Sequence, residues 1–106
     1  MNKQKIEREI QKITKQLVKK YKPEKIILFG SAAKGKFSPD SDLDFFVIKE
    51  ETPHYGIERM REVRSLVITN FPCDFLVAKP SEVRERLSLG DPFVKKIIRS
   101  GRVLYG

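Results

Sequence analysis

Residues 26–48, IILFGSAAKGKFSPDSDLDFFVI, decide the fold. One apolar run leads into a turn that begins at Gly30, and a second apolar run carries two carboxylates, Asp42 and Asp44, at its entrance. The backbone N–H groups of such a turn suit a phosphate. Carboxylates two residues apart on a strand point to the same side, and carboxylate oxygens are preferred ligands of Mg²⁺ and Ca²⁺. The stretch therefore predicts two strands joined by a loop that holds a metal-bound nucleotide.

The loop between the two apolar runs is similar to a P-loop but departs from it. Gly30 to Lys36 match the opening Gly-x-x-x-x-Gly-Lys of that motif. The next position should be Ser or Thr to hold magnesium, yet it is Phe37. Residues 38–41, SPDS, favour a turn where a P-loop continues into a long helix. We therefore expect a phosphate-binding turn of a different architecture.

The length of 106 residues fits one domain, which we place at residues 1–106. Lys and Arg number 22 against 14 Asp and Glu, and the formal charge of +8 fits an anionic ligand such as a nucleotide or RNA. The same charge fraction, with one Cys and no Trp, also fits the surface of a heat-adapted protein. Charge alone therefore does not establish nucleic-acid binding.

The cysteine count and the apolar runs bear on the cellular compartment that we expect for this protein. Cys73 is alone, which excludes an intramolecular disulfide and a cysteine-based zinc cluster. No apolar run approaches the ~18 residues of a membrane span, and the basic N-terminus is not followed by the apolar segment of a signal peptide. We expect a cytoplasmic protein that does not bind a membrane.

Apolar periodicity predicts a mixed α/β (α+β) fold, with a small sheet of three to four strands covered by helices. An amphipathic first helix stops near Pro23, and its apolar positions are Ile6, Ile10, Ile13, Leu17 and Tyr21. Strands are expected at 25–29, 43–48 and 75–78, with an edge strand at 103–105. The other expected helices are 54–71, 80–87 capped by Ser81, and one opened by Asp91 with Phe93, Ile97 and Ile98 facing inward.

Three aspartates form the candidate metal site. Asp42 and Asp44 lie i and i+2 on an expected strand, so their Cα atoms are ~6.6 Å apart and their side chains share one face. Two such charges would be costly to bury without a counter-ion, which a metal supplies. The alternative is a solvated strand end balanced by Lys34 and Lys36. Asp74 favours the metal site, because it heads a third strand that can place it beside the pair.

Three segments together resemble a known family. Residues 29–35 (FGSAAKG), 39–44 (PDSDLD) and 73–77 (CDFLV) look like the minimal nucleotidyltransferases of the DNA polymerase beta superfamily. The ending 100–105 (SGRVLY) is similar to the close of that domain, so the resemblance spans nearly the whole chain. The resemblance implies metal-dependent transfer of a nucleoside monophosphate to an acceptor, with release of pyrophosphate.

The same resemblance implies roles for two sets of residues. The residues that would bind the phosphates of ATP are Gly30, Ser31 and Lys34. The catalytic residues, which would also hold two Mg²⁺ ions for an in-line displacement at the α-phosphate, are Asp42, Asp44 and Asp74. Asp74 would in addition assist deprotonation of the acceptor hydroxyl.

One departure from the family pattern concerns arginines. The family often carries Arg where this chain has Lys34, and frequently another where it has Ala32. Lys provides a point charge where Arg provides a bidentate fork. We therefore expect reduced affinity for the triphosphate.

The resemblance also implies a macromolecular acceptor. Larger family members add an acceptor-binding domain, for which 106 residues leave no room. Minimal members commonly act as antitoxins that attach AMP to a tyrosine of a HEPN-domain ribonuclease. We expect either that activity or a catalytically weak antitoxin that neutralises its partner by contact alone. RNA binding through Lys12, Lys15 and Lys19 of the first helix is the weaker alternative, because such faces are usually only solvated.

Overall fold

The structure is a computed structural model that describes residues 3–36 and 41–106. The elements within these ranges are α1 (Lys3–Lys20), β1 (Lys25–Phe29), a 3₁₀ turn (Ser31–Lys34), β2 (Leu43–Ile48), α2 (Gly56–Leu66), β3 (Cys73–Ala78), α3 (Pro80–Ser88), α4 (Pro92–Ser100) and β4 (Arg102–Tyr105). The turn that the sequence predicts after Phe37 lies outside the described residues. Across the described ranges, none of the helices has both the length and the apolar composition that crossing a membrane requires.

The strands of the described chain form one four-stranded mixed sheet in the order β3-β2-β1-β4. β1 is antiparallel to β2 and to β4, whereas β2 and β3 are parallel and are connected through α2. In this register Asp44 lies opposite Phe29 on β1 and opposite Asp74 on β3. The predicted mixed sheet covered by helices is confirmed.

The larger core lies between one face of the sheet and helices α1 and α2. The apolar positions predicted for the first helix are all buried: Ile6, Ile10, Ile13 and Leu17 lie within α1, and Tyr21 follows its last residue. On the sheet, Phe45 stacks on Phe75 with ring centroids 5.4 Å apart. Burying a side chain of this size stabilises the fold by ~1.5–3 kcal/mol. Because successive strand residues alternate between faces, burial of Phe45 here places Asp44 on the opposite face.

That opposite face carries a smaller core beneath α3 and α4, formed by Ile27, Phe46, Ile48, Val83, Val94 and Ile97. The expectation that Phe93 and Ile98 face inward is wrong, since they are 52% and 41% exposed. α4 has apolar side chains at 93, 94, 97 and 98, and a helix can turn only one stripe of them toward a sheet. Val94 and Ile97 occupy that stripe, which leaves Phe93 at the surface.

The second helix is shorter than the sequence predicts. It ends at Leu66, and Val67 is already extended, with φ −108° and ψ 127°. Gln16 of α1 explains the end: its Oε1 accepts from the Ile68 N–H at 2.8 Å, and its Nε2 donates to the Ile68 carbonyl at 3.0 Å. This contact satisfies the extended backbone of Ile68, and the β-branched run 67–69 has low helix propensity.

Two element boundaries also differ from prediction. β3 begins at Cys73, earlier than the expected Phe75, so Asp74 is a paired strand residue. The cap of α3 is Lys79 and the expected Ser81 cap is wrong, because Pro80 occupies the first helical position. The side chain of Glu82 accepts from the Lys79 N–H at 2.8 Å, which completes the helix start.

Candidate active site

Gly30 joins β1 to the 3₁₀ turn, and its backbone brings the turn against Asp44. Its φ of 76° and ψ of −159° are in a region that is open essentially only to glycine. A Cβ at this position would lie 2.3 Å from Oδ2 of Asp44. Glycine is therefore required twice, for its backbone conformation and for its close approach to a carboxylate. The turn that the sequence predicts to bind phosphate and the Asp44 carboxylate are therefore neighbours.

The 3₁₀ turn places the other predicted phosphate-binding residues in different environments. Ser31 is partly exposed at its start and Lys34 is exposed at its end, where Gly35 closes the turn with φ 73°. Ala32 is only 4% exposed and belongs to the larger core. An arginine at position 32 would therefore have to displace core side chains. Among the residues of this turn that are predicted to bind phosphate, the exposed positive charge is that of Lys34.

The three predicted aspartates lie at the same edge of the sheet. Asp44 and Asp74 are opposite each other in the parallel β2–β3 pair, and Asp42 precedes β2 by one residue. Directly opposite residues in a sheet point to the same face. Burial raises the pKa of Asp44 above its ordinary value, and the negative charges of Asp74 and Asp42 raise it further. The structure thus brings Asp42 and Asp74 close enough to Asp44 to repel its carboxylate.

Arg64 is a neighbour of this site that the sequence analysis missed. Its Nη2 lies 3.9 Å from Oδ1 of Asp74 and donates to the Cys73 carbonyl at 2.8 Å. Both side chains of the ion pair are more than half exposed, so the pair contributes at most ~1 kcal/mol. Within residues 3–36 and 41–106, neither Lys34 nor Lys36 forms an ion pair with Asp44. The alternative to a metal site, a strand end balanced by these two lysines, therefore has no ion pair to support it in these ranges.

A cavity of about 230 Å³ opens beside Gly30, between the 3₁₀ turn and α4. Its lining residues are Phe29, Gly30, Ala33, Lys34, Phe93, Lys96, Ile97, Ser100 and Gly101. The rings of Phe29 and Phe93 meet edge to face at 5.8 Å and form part of its apolar wall. Lys96 and Ser100 were not predicted, because only the packing of α4 on β1 brings them next to residues so distant in sequence.

Comparison with known proteins shows the family to which this chain belongs. Residues 11–106 match the model of the family described as Polymerase beta, Nucleotidyltransferase. The chain belongs to the polymerase beta nucleotidyltransferase family. A 1.40 Å crystal structure from Sulfolobus solfataricus, described as that of a candidate nucleotidyltransferase, shares the fold of this family member. It superposes with a TM-score of 0.55 and 22% identity, covering 72% of this chain and 68% of that chain. A search of curated proteins gave no significant match.

Polymerase beta nucleotidyltransferases generally use a nucleoside triphosphate and a divalent metal, and the donor chemistry of this member fits such an ion. Asp42, Asp44 and Asp74 offer only carboxylate oxygens, the ligands of hard cations, and their mutual repulsion would be relieved by positive charge. As placed, no group of three or more His, Cys, Asp or Glu side chains in the described ranges is gathered tightly enough to hold a metal. Convergence on one ion therefore requires these side chains to rotate, and their role as ligands stays a prediction.

Proposed function

We propose that this chain transfers AMP from ATP to a hydroxyl group of a partner protein. The observation that carries the proposal is the paired position of Asp44 and Asp74 next to the Gly30 turn. A nucleotidyltransferase needs carboxylates at the α-phosphate and a phosphate-binding turn beside them. Membership of the polymerase beta family supports the reaction class, whereas ATP, the protein acceptor and the metal are proposals.

In the proposed reaction the acceptor oxygen attacks the α-phosphorus of ATP. A new P–O bond forms, the bond between the α-phosphorus and the bridging oxygen to the β-phosphate breaks, and pyrophosphate leaves with that electron pair. Asp74, at the exposed end of the carboxylate row, takes the proton of the acceptor hydroxyl. Asp42, Asp44 and Asp74 would hold divalent cations, which would supply positive charge to the reacting phosphate.

The Gly30 turn holds the triphosphate in place for that attack. Backbone N–H groups of the turn and the Ser31 hydroxyl donate to phosphate oxygens, and Lys34 adds a positive charge. Because the turn and Asp44 are in contact distance, the β- and γ-phosphates can be bound while the α-phosphate lies at the carboxylates. The protein contributes positioning and charge, which are the main requirements of phosphoryl transfer.

A HEPN-domain toxin is the proposed acceptor and binding partner. Minimal nucleotidyltransferases that this sequence resembles act on such proteins, and the surface near the carboxylates suits a protein acceptor. Leu76 follows Asp74 on the same face of β3 and is 42% exposed, and Leu89 and Phe93 are 71% and 52% exposed on the same side of the sheet. Exposed apolar groups of this kind support docking of a macromolecule beside the reacting groups.

The direct test uses the protein encoded by the reading frame next to that of this chain, taken as the candidate partner. Its intact mass is measured after incubation with this protein, ATP and Mg²⁺. We expect an added mass of one AMP on the partner, located on a tyrosine by peptide mapping. Asp42→Asn and Asp44→Asn should abolish the adduct, while the surface variant Glu51→Gln should not. Absence of any adduct with the wild-type protein and a partner that binds it would refute the proposal.

A second candidate function is neutralisation of the partner by contact alone. The observation that favours it is that the carboxylates are not gathered around a common point in the described residues, together with Lys34 in place of an arginine. In that case Asp42→Asn and Asp44→Asn would bind and neutralise the partner as well as the wild type does. Loss of neutralisation with binding intact would exclude this alternative.

A further inference from the structure

The sheet arranges the carboxylates, the Gly30 turn and α4 in one row. β3, β2 and β1 are consecutive strands about 4.8 Å apart, so Asp74, Asp44 and Gly30 succeed one another across the same edge. α4 ends at Ser100 and leads through Gly101 into β4, the neighbour of β1 on the side away from β2. The cavity between Gly30 and α4 therefore extends this row beyond the turn.

The cavity has the charge that the end of a triphosphate requires. Lys34 and Lys96 both line it, Ser100 adds a hydroxyl, and none of its described lining residues is acidic. In the ranges 3–36 and 41–106 neither lysine lies within 4.0 Å of a carboxylate. Phe29 and Phe93, whose rings meet edge to face, form an apolar wall of the same cavity, so the positive charge comes from its two lysines.

We propose that Lys96, assisted by Ser100, binds the β- and γ-phosphates of the nucleotide and holds pyrophosphate as it leaves. This inference rests on the proposed function, in which the α-phosphate lies at the carboxylates on the near side of Gly30. The triphosphate then crosses the turn and ends between Lys34 and Lys96, which lie on the turn and on α4. Two lysines from separate elements thus provide the positive charge at the end of the triphosphate.

The chain provides a matched control for this proposal. Lys95 precedes Lys96 on α4, is also exposed, and does not line the cavity. Lys95→Gln and Lys96→Gln change the net charge equally, so a difference between them reports the position of the charge and not its amount. Both side chains are exposed, and both variants should fold, which circular dichroism verifies.

The test is calorimetric titration of the whole chain with inorganic tripolyphosphate, with Mg²⁺·ATP, and with adenosine. Lys96→Gln should weaken binding of the first two about tenfold, the effect of losing one charge-assisted hydrogen bond, while Lys95→Gln stays within about twofold of wild type. Equal affinities of Lys96→Gln and wild type for tripolyphosphate, or no binding by the wild type, would overturn the inference. The inference would also be overturned if the wild type bound adenosine and Phe93→Ala did not, because the cavity would then hold the base and not the phosphates.

These titrations contain no acceptor, so they separate the inference from the proposed function. If Lys96 proves necessary for tripolyphosphate binding but no partner receives AMP, the phosphate site stands and the proposed transfer fails. If Lys96→Gln forms the AMP adduct at the wild-type rate at sub-saturating ATP, the transfer stands and the role of Lys96 is refuted.

Discussion

Replacing Asp44 with asparagine should abolish nucleotidyl transfer and at the same time stabilise the fold. Asn has the same shape as Asp and keeps the close contact with Gly30, so the substitution removes a charge and little else. Burial, Asp74 and Asp42 all raise the pKa of Asp44, which means that the folded state disfavours its ionised form. Removing the negative charge at neutral pH therefore removes an unfavourable interaction.

The geometry of the sheet sets the size of this effect. Asp44 and Asp74 are opposite each other on strands about 4.8 Å apart, where two unit charges repel by about 0.9 kcal/mol in water and about 3.5 kcal/mol at an effective dielectric of ~20. The side chain of Asp74 is 58% exposed, so the lower figure is the better guide. We expect a gain of about 1 kcal/mol in the free energy of unfolding, or roughly 4–8 °C in Tm.

Thermal unfolding as a function of pH and Mg²⁺ measures this prediction. In the wild type the folded state binds the Asp44 proton more tightly than the unfolded state, so stability falls as pH rises from 3.8 through the raised pKa of this group. Asp44→Asn should lack that part of the pH dependence. Mg²⁺ should raise the Tm of the wild type and have a smaller effect on the variant, since a ligand that binds only the folded state stabilises it.

Glu51→Gln is the control, because it makes the same change in net charge at an exposed position. It should leave the Tm unchanged within the ±0.5 kcal/mol typical of surface substitutions. The reasoning is wrong if Asp44→Asn lowers the Tm, or if Glu51→Gln raises it equally, since the effect would then be one of net charge alone.

Three further substitutions or measurements test other parts of the molecule. Gly30→Ala should destabilise the fold by ~1–3 kcal/mol in urea titrations and reduce transfer at least about tenfold, because the new Cβ displaces Asp44. Arg59 holds the pKa of Glu82 down at about 2, so Glu82→Gln should cost about 1 kcal/mol at neutral pH, a figure discounted for the 43% exposure of Glu82. That stability is present above pH 4.5 and is lost as pH falls toward 2. The Tm of the variant should therefore fall less than that of the wild type over this pH range. Burial raises the pKa of the Cys73 thiol to about 12, and native protein should therefore react slowly with thiol reagents at pH 8 compared with unfolded protein.

Each of these three has an outcome that contradicts it. Normal transfer by Gly30→Ala would show that the contact with Asp44 does not matter for the reaction. If the Tm of Glu82→Gln fell with decreasing pH as steeply as that of the wild type, the ion pair between Glu82 and Arg59 would not govern stability in acid. Rapid labelling of Cys73 in folded protein would show that β3 opens readily at its first residue.

The local elements of this protein are determined by short-range patterns in the sequence. The period of Ile6, Ile10, Ile13 and Leu17 specifies α1, since a helix buries residues of this spacing on one face. The turn at Gly30 and the carboxylates of Asp42 and Asp44 are likewise close in sequence, which is why their association could be predicted. The end of α2 could not be, because it depends on Gln16, a side chain of another helix.

The tertiary structure alone decided which distant groups join the site. The sequence marked Asp74 as a candidate, but the parallel register of β2 and β3 set it opposite Asp44 and brought Arg64 beside it. The packing of α4 on β1 likewise put Lys96 in the cavity next to Gly30. Sequence pattern reports the face that each element buries, because that depends on residues three or four apart. Which elements then lie side by side depends on packing across the whole core. That packing brings Asp74, Arg64 and Lys96 to the Gly30 turn and Asp44.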